Sequence, residues 1–239
     1  MADPVHEVER AIAAWTDRKQ PFVTLAYAQT LDGTIAVHPN EGLGISCPET
    51  KRLTHQLRSR HDGILVGVGT VLADNPKLTA RRVGGPHPTP IILDSRLRTQ
   101  PTARVLEHPK PPIIFAAEDA DDEREAELVL SGARVERIPR ADEGLDLAAM
   151  LARLRDLGFQ SVMVEGGAYV LTSFLREQLA QWAVITLAPY LVGGYSALRG
   201  LVTDREPPPQ RLDAYPRLEP AQWRPYGRDM VVWGPLAWA

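Results

Sequence analysis

Val5, Val8, Ile12 and Trp15 recur three or four residues apart, so the chain opens on an amphipathic helix that ends before Pro21. The period then shortens. Residues 22–28 predict a strand, and Leu31-Asp32-Gly33 a turn after it. Ser46 with Glu49 three residues on predicts a capping box for a helix through Arg58, with Leu53 and Leu57 as its buried stripe. Residues 64–67 form a continuous apolar run, which suits a strand buried on both faces. Short strands follow prolines at 90–94 and 111–115. Leu147, Met150, Leu151 and Leu154 mark a helix, 161–164 a strand, and Val170, Leu171, Phe174 and Leu175 a further helix. The last third changes character: 182–191 and 229–233 read as strands, with a loop at Pro207-Pro208-Pro209 and no helix between them.

Strand–helix alternation followed by a β-rich end predicts an α/β fold, a mostly parallel central sheet finished by antiparallel strands with helices on both faces. Residues 1–20 are expected to form a helical extension, and 21–239 one domain. Composition narrows the partners. Thirty acidic against twenty-seven basic residues give a net charge of -3, which excludes the broad electropositive surface that a nucleic acid or an anionic membrane requires. Phosphate binding must then come from locally placed arginines and backbone amides. A single cysteine, Cys47, excludes an intrachain disulfide and a Cys-rich zinc site, and no metal is expected. The N-terminus is acidic and polar, and the longest apolar stretch, 64–73, falls short of the ~20 residues of a membrane helix. A cytosolic location is expected.

The candidate chemistry lies in turns after apolar strands. Gly67-Val68-Gly69-Thr70 is not a dinucleotide fingerprint, because Leu72 stands where GxGxxG needs its third glycine. Glu165-Gly166-Gly167 leads directly into a helix, where backbone amides and the helix dipole favour an anion; a plain strand-to-helix connection needs the same small residues. Gly193-Gly194 most simply ends a strand. Arg58 and Arg81 are either a phosphate clamp or surface ion pairs. The acidic run 119–127 reads as a solvated face, and His55 and His61, flanking a helix end, as surface residues. The carboxylates at strand ends are Asp32, Asp74 and Glu165.

Five blocks, in order, resemble one family. They are Leu31-Asp32-Gly33, His55-Gln56-Leu57-Arg58, the stretch from Asp62 to Thr79 with its Val71-Leu72-Ala73-Asp74-Asn75-Pro76 core, Leu93-Asp94-Ser95 with Leu97-Arg98, and Val164-Glu165-Gly166-Gly167. Together they are similar to the reductase domain of bacterial riboflavin-biosynthesis deaminase-reductases and to stand-alone archaeal and fungal pyrimidine reductases. The resemblance implies a dihydrofolate-reductase-like fold over 21–239, NADPH as hydride donor, and a homodimer. It implies a phosphorylated ribosylamino-pyrimidine whose side chain is reduced to ribitylamino. It also implies that Arg58 and Arg81 hold the substrate's 5′-phosphate with Asn75 and Leu78 nearby, and that Thr30, Gly67, Thr70, Ser95, Gly166 and Gly167 contact NADPH.

Two positions depart from the bacterial pattern, Ala26 where a lysine is frequent and Leu43-Gly44 where a polar or aromatic residue is. The H-x-E and P-C-x-x-C motifs of a deaminase zinc site are absent from this sequence. Other readings on the same fold are a reductase of another pterin or pyrimidine, dihydrofolate reductase included, and a catalytically silent ligand-binding relative. Reduction of an imine calls for a proton donor or a stabilising charge. Glu165 is the expected donor, its proton held near neutral pH by partial burial, with Asp32 second. A 2′-phosphate contact is expected from Ser95, Arg96 and Arg98. The apolar 182–191 strand near the chain end is expected to need cover from a second copy.

Overall fold

The computed structural model describes residues 3–39, 41–142, 144–199, 201 and 211–238, so the proline run at 207–209 lies outside the described residues. In chain order the elements are α1 (Pro4–Ala14), β1 (Phe22–Thr30), β2 (Thr34–Ala36), α2 (Pro48–Arg58), β3 (Gly63–Gly67), α3 (Val68–Asp74), β4 (Thr89–Leu93), β5 (Ile113–Ala117), α4 (Asp122–Leu130) and β6 (Arg134–Ile138). Then come β7 (Arg140–Ala141), β8 (Gly144–Leu145), α5 (Leu147–Asp156), β9 (Ser161–Gly166), α6 (Ala168–Arg176), β10 (Trp182–Ala188), β11 (Tyr195–Ser196), β12 (Arg217–Leu218), β13 (Gln222–Tyr226) and β14 (Asp229–Ala237).

One sheet organises them, in the order β12-β14-β10-β1-β9-β3-β4-β5-β6, with β13 also on β14. From β10 to β6 every pairing is parallel, while β14 runs antiparallel to β10, β12 and β13. This is the mostly parallel sheet with antiparallel C-terminal strands that the element order predicts. Side chains alternate across it. Leu25 and Leu65 face the core shared with α5 and α6, whereas Ala26, Ile64 and Val66 face α1, α2, α3 and α4. The N-terminal helix belongs to that second layer. Val5 and Val8 pack with Leu53, Leu57 and Trp233, and Glu7 accepts the Trp233 indole N–H at 3.0 Å.

Four expectations need correction. Ser46 does not cap α2: Pro48 occupies the first turn, Cys47 is the cap residue, and its side chain makes no capping bond. The anchor comes instead from Asp229 at the start of β14, whose Oδ2 accepts from Cys47 N (2.8 Å) and Thr50 Oγ1 (2.6 Å). The 182–191 strand ends at Ala188 and lies between β1 and β14, so its cover is intramolecular. The Gly67–Thr70 stretch is the start of a helix, α3, because Gly67 has an extended backbone that serves as its cap. The charged strands β6 and β13 carry too few apolar residues to be recognised by pattern.

The fourth correction concerns histidine. His55 and His61 are buried, at 6% and 5% exposed. His61 bonds Leu57 O through Nδ1 (2.8 Å) and Thr24 Oγ1 through Nε2 (2.9 Å), pinning the end of α2 to β1. Burial pushes its pKa down from 6.5 to about 4, against an opposing hydrogen bond to Leu57. Below pH 6.5 the unfolded chain binds a proton at this site that the folded chain refuses until about pH 4. The associated stability is complete above pH 6.5 and lost as pH falls toward 4. Urea unfolding is therefore expected to show an acid loss of roughly 3 kcal/mol from this residue. His61→Gln, which keeps a donor and an acceptor without titrating, should flatten that limb.

Candidate active site

The carboxyl ends of β1, β9, β3 and β4 open into one cleft of about 1160 Å³, the position at which open α/β sheets bind ligands. Its volume exceeds the ~300–1,000 Å³ of a single small-molecule site, so two ligands fit side by side.

One part of its wall is backbone. Gly166 and Gly167 both have left-handed φ, 91° and 87°, and a Cβ at Gly166 would lie 2.9 Å from Leu171 Cγ. The chain can turn this sharply from β9 into α6 only with glycine at both positions. The turn brings the start of α6 against α3: Thr70 Oγ1 donates to Gly166 O at 3.2 Å, and Gly67 meets Val170 so closely that a Cβ would sit 2.9 Å from it. Gly67, Thr70, Gly166 and Gly167 all line the cleft. The first amides of a helix have no intrahelical partner, so the α6 end presents donors to it.

The other part is charged. Arg58, the last residue of α2, donates from Nε and Nη2 to the two carboxylate oxygens of Glu165, each at 2.5 Å, and from Nη1 to Thr79 O at 2.9 Å. Burial by itself would lower the Arg58 pKa, but Glu165 reverses this and raises it. Arg81 donates to Thr79 Oγ1 at 3.1 Å. Its pKa is lowered by burial and then by Arg58, Arg82 and Arg104. Since Glu165 cancels the charge of Arg58, Arg81 and Arg82 leave this corner with a positive surplus. His55 precedes Arg58 by one turn. Burial, then the charges of Arg58, Arg81 and Arg82, push its pKa down to about 4, so its ring is neutral at neutral pH.

The structure thus brings Arg58, Arg81, Glu165, Gly67, Thr70, Gly166 and Gly167 to one cleft. It gives other expected residues framework positions. Asp32 accepts from the Thr30 hydroxyl and from the amides of Val192 (3.0 Å) and Gly193 (2.6 Å). Chiefly the Thr30 and Gly193 bonds hold its carboxyl down at about 2. It ties two loops together as an anion, and neither it nor Thr30 lines the cleft. Asn75 is the left-handed cap of α3, its Oδ1 accepting from Arg104 N at 2.8 Å. Leu78 is 2% exposed in the core, and Ser95 accepts from Ala117 N through its carbonyl. None of the three lines the cleft, whereas Arg98 does.

Glu165 reaches the cleft, but not as the proton donor expected. Both of its oxygens accept from one guanidinium. With both oxygens engaged by Arg58, neither is turned toward the open part of the cleft to present a proton.

Lys51, Thr54, His55 and Arg58 line the cleft from one face of α2, and their i, i+3, i+4, i+7 spacing is readable in the sequence. Burial raises the Asp74 carboxyl, and Gly42 lies so close to it that any side chain at 42 would collide with its Oδ1. Arg199, stacked 4.7 Å over the Tyr195 ring, stands in an irregular loop where no periodicity announces it.

Residues 21–232 match the model of the RibD C-terminal domain. A 2,5-diamino-6-ribosylamino-4(3H)-pyrimidinone 5′-phosphate reductase of Methanothermobacter thermautotrophicus is 39% identical over 216 residues, 89% of this chain and 97% of that one. The enzyme of the same name from Debaryomyces hansenii is 40% identical, covering 73% of this chain and 77% of its own length. Among solved structures, the riboflavin-biosynthesis reductase Rib7 of Saccharomyces cerevisiae superposes with a TM-score of 0.73 at 30% identity, over 98% of this chain and 97% of its own. Dihydrofolate reductase of Enterococcus faecalis, at 13% identity and a TM-score of 0.50, shares the fold. The match over residues 21–232, with 39% identity across nearly the whole length of a relative, makes the chain a member of the RibD C-terminal domain family.

Proposed function

We propose that this chain reduces the ribosylamino side chain of a pyrimidine 5′-phosphate to ribitylamino, with NADPH as donor, as a step of riboflavin biosynthesis. The carrying observation is the division of one cleft into a backbone-lined end at Gly166-Gly167 and a cationic corner around Thr79. The first end suits a dinucleotide: its glycines let the diphosphate approach the main chain, and the α6 N-terminus supplies donors and dipole. Arg98, which lines the cleft and follows β4, is a cation available to a 2′-phosphate. The corner suits the substrate's phosphate. Arg81 meets it directly, and Arg58, with three of five N–H groups engaged by Glu165 and Thr79, has two left to donate.

When bound, NADPH supplies the hydride. The protein's part is to hold the opened sugar chain, an imine at C1′, in line with the donor and away from bulk water. Glu165, oriented by its two bonds to Arg58, is the carboxylate beside that carbon, and it stabilises the iminium form that accepts hydride most readily.

The direct test is turnover of purified protein on the deaminated and undeaminated ribosylamino-pyrimidine phosphates, each with NADPH and with NADH. Oxidation of NADPH with one of the two, at least tenfold more efficient than with NADH, is the expected result. No turnover with either pyrimidine would end this reading.

Variants of the corner separate its roles. Glu165→Gln keeps one acceptor for Arg58 but removes the charge, so kcat is expected to fall roughly 10²-fold with a smaller change in substrate KM. Arg81→Ala is expected to raise the substrate KM tenfold or more, the scale of one charge-assisted contact, and to leave the NADPH KM unchanged.

We further propose a homodimer, now on different grounds. Leu31 (64% exposed), Tyr190 (44%), Leu191 (77%) and Val192 (40%) form one apolar strip, joined by Leu31 N to Tyr190 O at 2.9 Å. Light scattering at micromolar concentration should give twice the 26.4 kDa chain mass, and Leu191→Asp should shift it toward the monomer.

A further inference from the structure

The hydrogen bonds behind Arg81 lead out of the cleft to a histidine. Thr79 serves both arginines, its carbonyl accepting from Arg58 and its hydroxyl from Arg81. Its neighbour Leu78 has a left-handed backbone, φ 51°, a conformation that a leucine keeps only where the surroundings impose it. The surroundings include the next residue. Ala80 is fully buried, and its amide N–H donates to Nδ1 of His87 at 3.1 Å. The imidazole thus holds the main chain one residue before Arg81. The ring is itself held edge-on against His108, with centroids 5.8 Å apart and planes at 68°. His108 in turn contacts Lys110, which donates its amide to His108 Nδ1 at 3.0 Å.

The direction of the Ala80 bond fixes the chemistry. Nδ1 accepts an amide proton only while it carries none, so His87 must be neutral with its proton on Nε2. A proton added at Nδ1 turns two groups that attract into two donors facing each other. On the other side of the ring stands His108, so the imidazole is held between the Ala80 amide and that edge-on contact.

We propose that His87 is a positioning residue for the anion corner: as an acceptor at Nδ1 it fixes the Ala80 amide and thereby places Thr79 and Arg81. The consequence is a grip on phosphorylated substrate that depends on a group outside the cleft. This rests on the reading that Arg81 meets the substrate's phosphate.

The test is steady-state kinetics of the full chain with the pyrimidine phosphate and NADPH at pH 8.0, on the wild type, His87→Ala, His87→Asn and Arg81→Ala. The asparagine amide oxygen can occupy the place of Nδ1. His87→Ala is expected to raise the substrate KM roughly three- to tenfold, the scale of one neutral hydrogen bond, leaving kcat and the NADPH KM as they were. His87→Asn should restore the wild-type KM.

A native KM in His87→Ala, or a KM in His87→Asn as high as that of His87→Ala, would overturn the proposal while Arg81→Ala still raises KM. An Arg81→Ala enzyme with native KM would remove the phosphate reading and this inference together. If His87→Ala does not fold, nitrogen-15 spectra of the wild-type ring decide. The Nε2–H tautomer at pH 8.0 is required, and the Nδ1–H tautomer there refutes the assignment.

Discussion

The site depends on one ion pair, Arg58 with Glu165. These residues are 107 positions apart in sequence, one at the end of α2 and the other at the end of β9, and their two-pronged contact fixes the helix to the centre of the sheet. Both side chains are nearly buried, 13% and 14% exposed. Removing either one strands the other's charge in a poorly solvated place, at a cost on the order of 3–5 kcal/mol. The pair is held from both ends. Asp229 anchors the start of α2, His61 its finish, and the Gly166-Gly167 turn sets where β9 stops. Thr79 then links the pair to Arg81, its carbonyl accepting from Arg58 and its hydroxyl from Arg81.

This arrangement also explains how a chain with a net charge of -3 handles anions. Many of its arginines are taken up in local ion pairs, as with Arg137 between Asp122 and Glu125 or Arg153 on Glu136. In the corner of the cleft around Thr79 the bookkeeping differs: one carboxylate, Glu165, lies among Arg58, Arg81 and Arg82. A field confined to one corner favours a small polyanion without drawing nucleic acid or an anionic surface to the rest of the molecule.

Much of the fold was legible because burial on a parallel sheet writes itself as unbroken apolar runs. The 64–67 run and the strand at 161 show this, as does the shift to an antiparallel end once helical spacing stops. What pattern missed has local causes. Pro48 displaced the cap from Ser46, the glycines at 67 and 69 looked like a turn but open α3, and β6 and β13 are too polar to resemble strands. The glycine pair and the two arginines were visible as motifs. Their wiring was not: no spacing rule says that Glu165 will turn its carboxylate to Arg58, or that Asp32 will spend its own on Val192 and Gly193. His55 and His61 were misjudged because a polar side chain at a helix end is usually solvated, and here the sheet closes over that end.

The place of β1 carries a consequence for biosynthesis. It precedes every other strand of this sheet in chain order and sits near the middle of it, hydrogen-bonded to β9 on one side and β10 on the other. At ordinary elongation rates its first neighbour arrives on the order of ten seconds after it does. During that interval Phe22, Val23 and Leu25, later among the most buried side chains in the protein, have no native partner from the sheet. Nascent chains of this topology are thus exposed to mispairing early and for long, and their yield in cells should depend on trigger-type chaperones more than their final stability would suggest.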